Sequence, residues 1–280
     1  LHDARDLQHR LTFLPYSLLY DVALKDLVLS DEDQNRNAPR VARFLAASCR
    51  ESATWSTVVP TIPALNIPPR QYLYLLAFQL GLPLPGALSW PAQCACRKPM
   101  DNLGHHAFSC ERRYPHDRLV KQLLLYAKSA GLSPQLEPSG RCTGERRPDL
   151  AVPDLEASGK ELLLDVTTVD PGAVSHLNRG SHRHYSIGNT AARQHKERYY
   201  DGHFNPRVHA FLALPVEIPG RWSIGMYQFF SKVKRFALQH RHPASFTHSV
   251  WVARWRNILC TQFRLAQAIS VGSLAADLSE

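Results

Sequence analysis

Several features are missing from this chain of 280 residues, and each absence narrows the reading. No apolar run is long enough to span a membrane, and the first residues lack the order of a secretion signal. The six cysteines are Cys49, Cys94, Cys96, Cys110, Cys142 and Cys260. Three fall in one short stretch and the rest are scattered, which is not a secreted disulfide framework. A reducing compartment is the expectation. There is no internal repeat and no low-complexity tract, which excludes repeat architectures. Acids are scarce late in the chain. From His176 to Arg264 only Glu197, Asp201 and Glu217 stand against 14 Lys and Arg. The net charge is +9, so the remainder is slightly acidic by difference. A basic excess of this kind suits a polyanion, and the last third is the expected nucleic-acid face. The first residue is Leu1 rather than methionine, so a piece of a longer protein is expected.

With 44% hydrophobic residues, one large domain or two small ones can build a core without staples. The most informative stretch is Arg146-Arg147-Pro148-Asp149-Leu150-Ala151-Val152, followed by Glu161 to Asp170. Leu150 and Val152 alternate with Asp149 and Ala151, a strand pattern, and Leu162 to Val166 form an apolar run too short for a helix. Gly159 and the polar run before it supply the turn between them. One carboxylate, Asp165, interrupts the second strand. An acid in a buried strand is costly unless it binds something. Two acids on adjacent strands, Asp149 and Asp165, can hold one divalent cation through hard oxygen ligands. Such a site suits Mg²⁺- or Mn²⁺-assisted hydrolysis of a phosphodiester.

A second constellation lies upstream. Cys94-Ala95-Cys96 is followed by His105, His106 and Cys110. Three thiolates and an imidazole suit a closed, structural tetrahedral Zn²⁺ site. Cys110 stands four residues after His106 and five after His105. The first spacing puts both ligands on one helix face, which favours His106 over His105.

The remaining elements follow from pattern. Leu1 to Val28 reads as a helix, Asp31 to Asn37 as a polar loop, and Pro39 to Cys49 as a short helix. Ser52 to Pro69, with Trp55 and four prolines, reads as an extended connector. Helices are expected over Arg70 to Leu80, His116 to Ala130, Thr190 to Tyr200, Arg221 to Gln239 and Ser249 to Ile269. Ser133 to Pro138 is a candidate first strand carrying Glu137, His176 to Ser186 a mobile basic loop, and Val208 to Val216 a further strand. The implied division is a helical extension over residues 1–88, a zinc knuckle over 89–115 and an α/β domain over 116–280. Basic residues expected on DNA are Arg146 and Arg147 before Asp149, Arg193 on its helix, and Arg221, Lys232, Lys234 and Arg235 among the aromatic residues of the helix before the last.

The order C-x-C, Gly-His-His-x-x-x-Cys, Tyr-Pro-His-Asp, Arg-Pro-Asp and Leu-Asp-Val-Thr resembles the C-terminal region of site-specific non-LTR retrotransposon proteins. Those carry a zinc knuckle and a restriction-enzyme-like endonuclease of the PD-(D/E)xK superfamily. The resemblance runs from about Leu80 to Val216 and more weakly to the last helix. It implies a mixed central sheet flanked by helices, Asp149 and Asp165 as metal-binding acids, and the Val166 carbonyl as a further ligand. It places His116 and Asp117 in a basic-polar motif after the knuckle, of which His116 is here assigned to DNA. Thr167 stands where the superfamily pattern has lysine, and the implied replacement is Lys196 on the following helix. Glu137 is a third candidate acid.

What the resemblance implies is nicking of DNA in the nucleus, priming reverse transcription from template RNA by an upstream polymerase domain. No aromatic-x-Asp-Asp turn of a reverse transcriptase is present in these residues. The competing expectations are an inactive nucleic-acid-binding remnant and a cellular resolvase or repair nuclease of the same fold. The zinc knuckle disfavours the last.

Overall fold

The computed structural model describes residues 31–94, 96–110, 115–240 and 247–276. The helix expected over Leu1 to Val28 lies outside them. The chain is α/β, with a four-stranded mixed sheet flanked by helices. Before the sheet come α1 (Asp31–Ala47), α2 (Arg50–Thr57), α3 (Pro69–Gln79), α4 (His105–Ser109) and α5 (Pro115–Ser129). The strands are β1 (Gln135–Leu136), β2 (Leu150–Val152), β3 (Glu161–Val169) and β4 (His209–Glu217). Between β3 and β4 lie α6 (Val174–Leu177) and α7 (Ile187–Tyr200), and α8 (Ile224–Gln239) and α9 (His248–Ala276) follow.

Strand order is β1-β2-β3-β4. β1 and β2 pair antiparallel, β2 and β3 antiparallel with Leu150 opposite Leu164, and β3 and β4 parallel with Asp165 opposite Ala213. A parallel pair needs a long crossover, and α6 and α7 form it. Leu150, Ala151 and Val152 are all buried, because helices cover both faces of the sheet. One face carries Leu150, Val152, Leu162, Leu164 and Val166, packed against Leu119, Val120 and Leu123 of α5 and Met226, Phe229 and Val233 of α8. The side chain of Tyr126 on α5 stacks on Phe230 at 4.8 Å and donates to its carbonyl oxygen at 2.9 Å. Gly225 lets α8 approach closely, since a Cβ there would run into the Ala213 carbonyl oxygen. The opposite face carries Asp165 and Phe211 under α7, where Tyr200 stacks on Phe211 at 4.5 Å.

A second apolar cluster gathers Trp55, Tyr74, Leu75, Leu84, Cys94, Phe108, Cys110, Ile218, Ala268 and Val271. It joins the early helices and the cysteine-rich turn to the C-terminal half of α9. Arg264 is fully buried there, and its Nη1 donates to Ile218 O at 3.2 Å and Gln267 Oε1 at 2.7 Å.

Three local expectations are corrected. Residues 31–37 are helical rather than a polar loop, continuous with the turn that follows. The polar run forms the first two turns of an amphipathic helix whose Val41, Ala42, Leu45 and Ala46 are buried. The supposed connector opens as α2, because Ser52, Thr54 and Trp55 bury one face of a helical turn. The prolines act only afterwards. Within 176–186, His176 and Leu177 end the short α6 rather than belonging to the basic loop, and the turns that follow are pinned by Ser181 Oγ donating to Pro171 O at 2.7 Å.

Candidate metal and acid sites

Four ligand atoms meet in the cysteine-rich turn. Those of Cys94, Cys96, His106 and Cys110 all lie within 4.8 Å of one another, and such a cluster can hold a metal such as zinc. The turn is tight: Cys94 N–H donates to Lys98 O at 2.9 Å and Arg97 N–H to Cys94 O at 2.7 Å. Asp101 then fixes α4 by accepting from the backbone N–H groups of His105 at 3.0 Å and His106 at 2.9 Å. The Cys94 and Cys110 sulfurs are 3.8 Å apart, and Cys96 Sγ is 3.2 Å from His106 Nε2. Tetrahedral zinc with Zn–S bonds of ~2.3 Å spaces its sulfurs by ~3.8 Å, so the donor set fits. Burial alone would raise the Cys94 pKa. Hydrogen bonds from the Cys96 backbone, His106 and the neighbouring thiols outweigh it and bring the group down to about 6. That is the thiolate-favouring environment a zinc ligand needs.

His105 is not a member of this set. Its Nδ1 lies 3.3 Å from Asp101 Oδ1 and its ring meets Phe78 edge-on, because consecutive residues on a helix face different ways. Burial, then the Arg43 charge, hold its pKa down at about 4.

The acids sit at the sheet. Asp149 immediately precedes β2, and one more step of the Leu150–Leu164 register sets it opposite Asp165. Cross-strand neighbours share a face, with Cβ atoms ~5 Å apart. Asp149 Oδ2 accepts from Val166 N–H at 2.6 Å. Asp165 is buried, with Lys196 Nζ 2.8 Å from Oδ1 and the Tyr200 hydroxyl 2.7 Å from Oδ2. Burial raises the Asp165 pKa; Lys196 opposes this, and the Asp149 charge adds to it. Lys196 and Tyr200 are one helical turn apart on α7, so both face β3. Tyr200 escaped the sequence reading, although the same spacing from Lys196 points to it. Its hydroxyl also lies 3.0 Å from the Arg147 carbonyl oxygen, tying the loop before Asp149 to the helix. Burial and the Asp165 charge keep that hydroxyl protonated.

No family model and no curated protein matches this chain.

The other predicted residues scatter more widely. Glu137 follows in the row of Asp149 and Asp165, its N–H donating to Asp149 O at 2.8 Å. Its backbone is left-handed, with φ 45°, and its carboxylate is held outward by Arg147 at 2.8 Å. It therefore does not join the two acids. His116 does not face outward as a phosphate contact would. Its Nε2 lies 3.2 Å from Asp149 Oδ2 and 3.1 Å from the Val166 carbonyl oxygen. Burial would lower its pKa, but the Asp149 hydrogen bond and charge, with Asp117, raise it to about 9.

Arg146 lies over the Tyr199 ring at 4.5 Å and donates to Tyr199 O at 2.8 Å. Arg193 pairs with Glu197 at 3.6 Å along α7. Arg221 is an internal clamp: Nη2 donates to Leu45 O at 2.7 Å and Nε lies 3.8 Å from Glu217. Lys232 pairs with Glu156 at 2.8 Å. Lys232, Lys234 and Arg235 ride α8, across the sheet from Asp165, because the apolar side of α8 must bury on the other face. The expected single basic face is thus divided by the sheet.

Among the described residues, the cysteine–histidine set is the one group of three or more such side chains gathered within 4.8 Å. His116, Asp149 and Asp165 do not form a second as they stand. The donors that do converge are Asp149 Oδ2, Val166 O and His116 Nε2.

Proposed function

We propose that this chain is a divalent-metal-dependent DNA endonuclease that nicks one strand by phosphodiester hydrolysis. Its restriction-endonuclease-like core would serve a retrotransposon-type protein. The observation that carries the reading is Asp149 beside Asp165 on paired strands, with Lys196 bonded to the buried Asp165. A carboxylate buried in a strand costs several kcal/mol unless it is compensated, and here the compensation is a lysine rather than an apolar neighbour. The donors at this cleft are hard oxygens, the Asp149 and Asp165 carboxylates and the Val166 carbonyl, and they fit Mg²⁺ or Mn²⁺. When bound, such a cation polarises a phosphoryl oxygen and lowers the pKa of water.

The chain's own groups do the rest. Tyr200 and Thr167 hold the Asp165 carboxylate, with Thr167 Oγ1 at 3.4 Å from Oδ1. Lys196 carries its charge to within 2.8 Å of the same carboxylate, where it can orient the attacking water or stabilise charge on the phosphorane oxygens. Arg146, Arg147 and Arg193 lie on the loop and helix beside the acids and would hold DNA phosphates. The cysteine–histidine set, with four ligands and no open position, would hold a structural zinc. Action in the nucleus, beside an upstream reverse transcriptase and its template RNA, completes the proposal.

The test is incubation with supercoiled plasmid and Mg²⁺ or Mn²⁺. The parent chain converts plasmid to the nicked form, Asp165→Ala does not, and Asp165→Asn keeps DNA binding while losing cleavage. Cleavage by Asp165→Asn at the parent rate refutes the assignment.

A further inference from the structure

His116 occupies a position that a phosphate contact has no use for. It stands in the first turn of α5, which packs on the sheet face opposite Asp165, yet its ring turns in at the sheet's end. Nε2 faces two acceptors, Asp149 Oδ2 at 3.2 Å and Val166 O at 3.1 Å. The other ring nitrogen, Nδ1, lies 3.0 Å from Asp117 Oδ1.

We infer that His116 is a direct ligand of the cleft cation, its Nε2 joining Asp149 Oδ2 and the Val166 carbonyl, and that it biases the site toward Mn²⁺ over Mg²⁺. The inference rests on the nuclease reading for the presence of a cation. Three observations carry the residue's part. First, adjacent donors around an octahedral ion with ~2.1 Å bonds stand ~3.0 Å apart, close to both His116 distances. Second, the Asp117 carboxylate at Nδ1 is the outer partner a metal-bound histidine characteristically has; it accepts the Nδ1–H hydrogen bond, and Nε2 becomes the donor when the cation displaces its proton. Third, each Asp165 oxygen is already shared, with Lys196 and with Tyr200, so His116 adds a donor on the Asp149 side of the cleft to a set that Asp165 fills only in part. Imidazole is a poor partner for Mg²⁺, which takes oxygen ligands and keeps its waters, and a better one for a transition ion.

The experiment uses the zinc-loaded chain without DNA, with Mn²⁺ and Mg²⁺ titrated separately by calorimetry. Electron spin-echo modulation then reads nitrogen at bound Mn²⁺. The expected result is a nitrogen coupling in the parent that disappears in His116→Ala. Mn²⁺ affinity should fall at least ~10-fold in that variant and several-fold in Asp117→Asn, while Mg²⁺ affinity moves less than ~3-fold. His116→Gln, closer in volume, repeats the measurement if the alanine variant melts early. Nitrogen coupling retained in His116→Ala, or unchanged Mn²⁺ affinity, overturns the assignment of His116 alone, provided Asp149→Asn abolishes binding. Failure of the parent to bind Mn²⁺, or binding indifferent to Asp149→Asn, overturns this inference and the nuclease reading together.

Discussion

Glu217 closes β4 with a carboxylate that is 1% exposed, and its burial should be visible as a pH dependence of stability. Burial raises its pKa from 4.5 to about 7, against the opposing pull of the Asn189 backbone N–H and Arg221. The folded chain therefore holds a proton that the unfolded chain has released. Stability is fully present below about 4.5 and is lost as pH rises through about 7. Integrated from pH 5 to pH 8, the loss from this one group is about 2–3 kcal/mol.

Glu217→Gln removes the titration and keeps an acceptor for Asn189 N–H, which lies 3.4 Å from Oε1. Its amide would face Arg221, a fixed offset that does not change with pH. Urea unfolding of the parent and the variant at pH 5, 6, 7 and 8 isolates the effect, because every other titrating group is common to both. The difference in unfolding free energy should drift by about 2–3 kcal/mol in favour of glutamine across that range. Parallel curves, or a drift in favour of glutamate, would refute the reasoning.

Two further perturbations address the other regions. Cys110→Ser should drop bound zinc from about one per chain toward zero by metal analysis, and should lower the melting temperature because Cys110 also packs in the second apolar cluster; zinc content equal to the parent's would count against the site. For DNA affinity, replacing both Arg146 and Arg147 by alanine should make the log–log salt dependence shallower by up to ~1.8, whereas replacing Lys234 and Arg235 should leave it nearly unchanged. The reverse pattern would move the binding face to α8.

The sequence made the strands legible because their signals are local. Alternating Leu150 and Val152, the apolar run Leu162 to Val166, and the turn at Gly159 each declare themselves within a few residues. The acid in that run could be singled out for the same reason, and so could the cysteine cluster, whose ligands lie within 17 residues of each other. The choice between His105 and His106 followed from helical spacing, and the geometry selects His106. What stayed hidden depends on which face meets which. Residues 31–37 are polar on their own terms and become helical only beside the buried Val41, Ala42 and Leu45. The aromatic-basic helix α8 reads as a binding element until the sheet places it behind the acids. The inward turn of His116 is a contact across 33 and 50 residues, to Asp149 and Val166, and no spacing rule encodes it.

The 29 residues of α9 span about 43 Å. Trp251, Leu259, Cys260 and Phe263 enter the core beneath the sheet, and Ala268 and Val271 enter the cluster that holds Cys94 and Cys110. Where the two groups meet, Gln262 reaches Ala64 O and Arg264 reaches Ile218 O. One rod therefore sets the phase between two cores. Substitution along it disturbs one core at a time, but a single inserted residue after Phe263 would swing everything beyond it by about 100° and advance it by about 1.5 Å. The helix would survive intact while the two cores fell out of step, so drift in this stretch is free to change letters and barred from changing length.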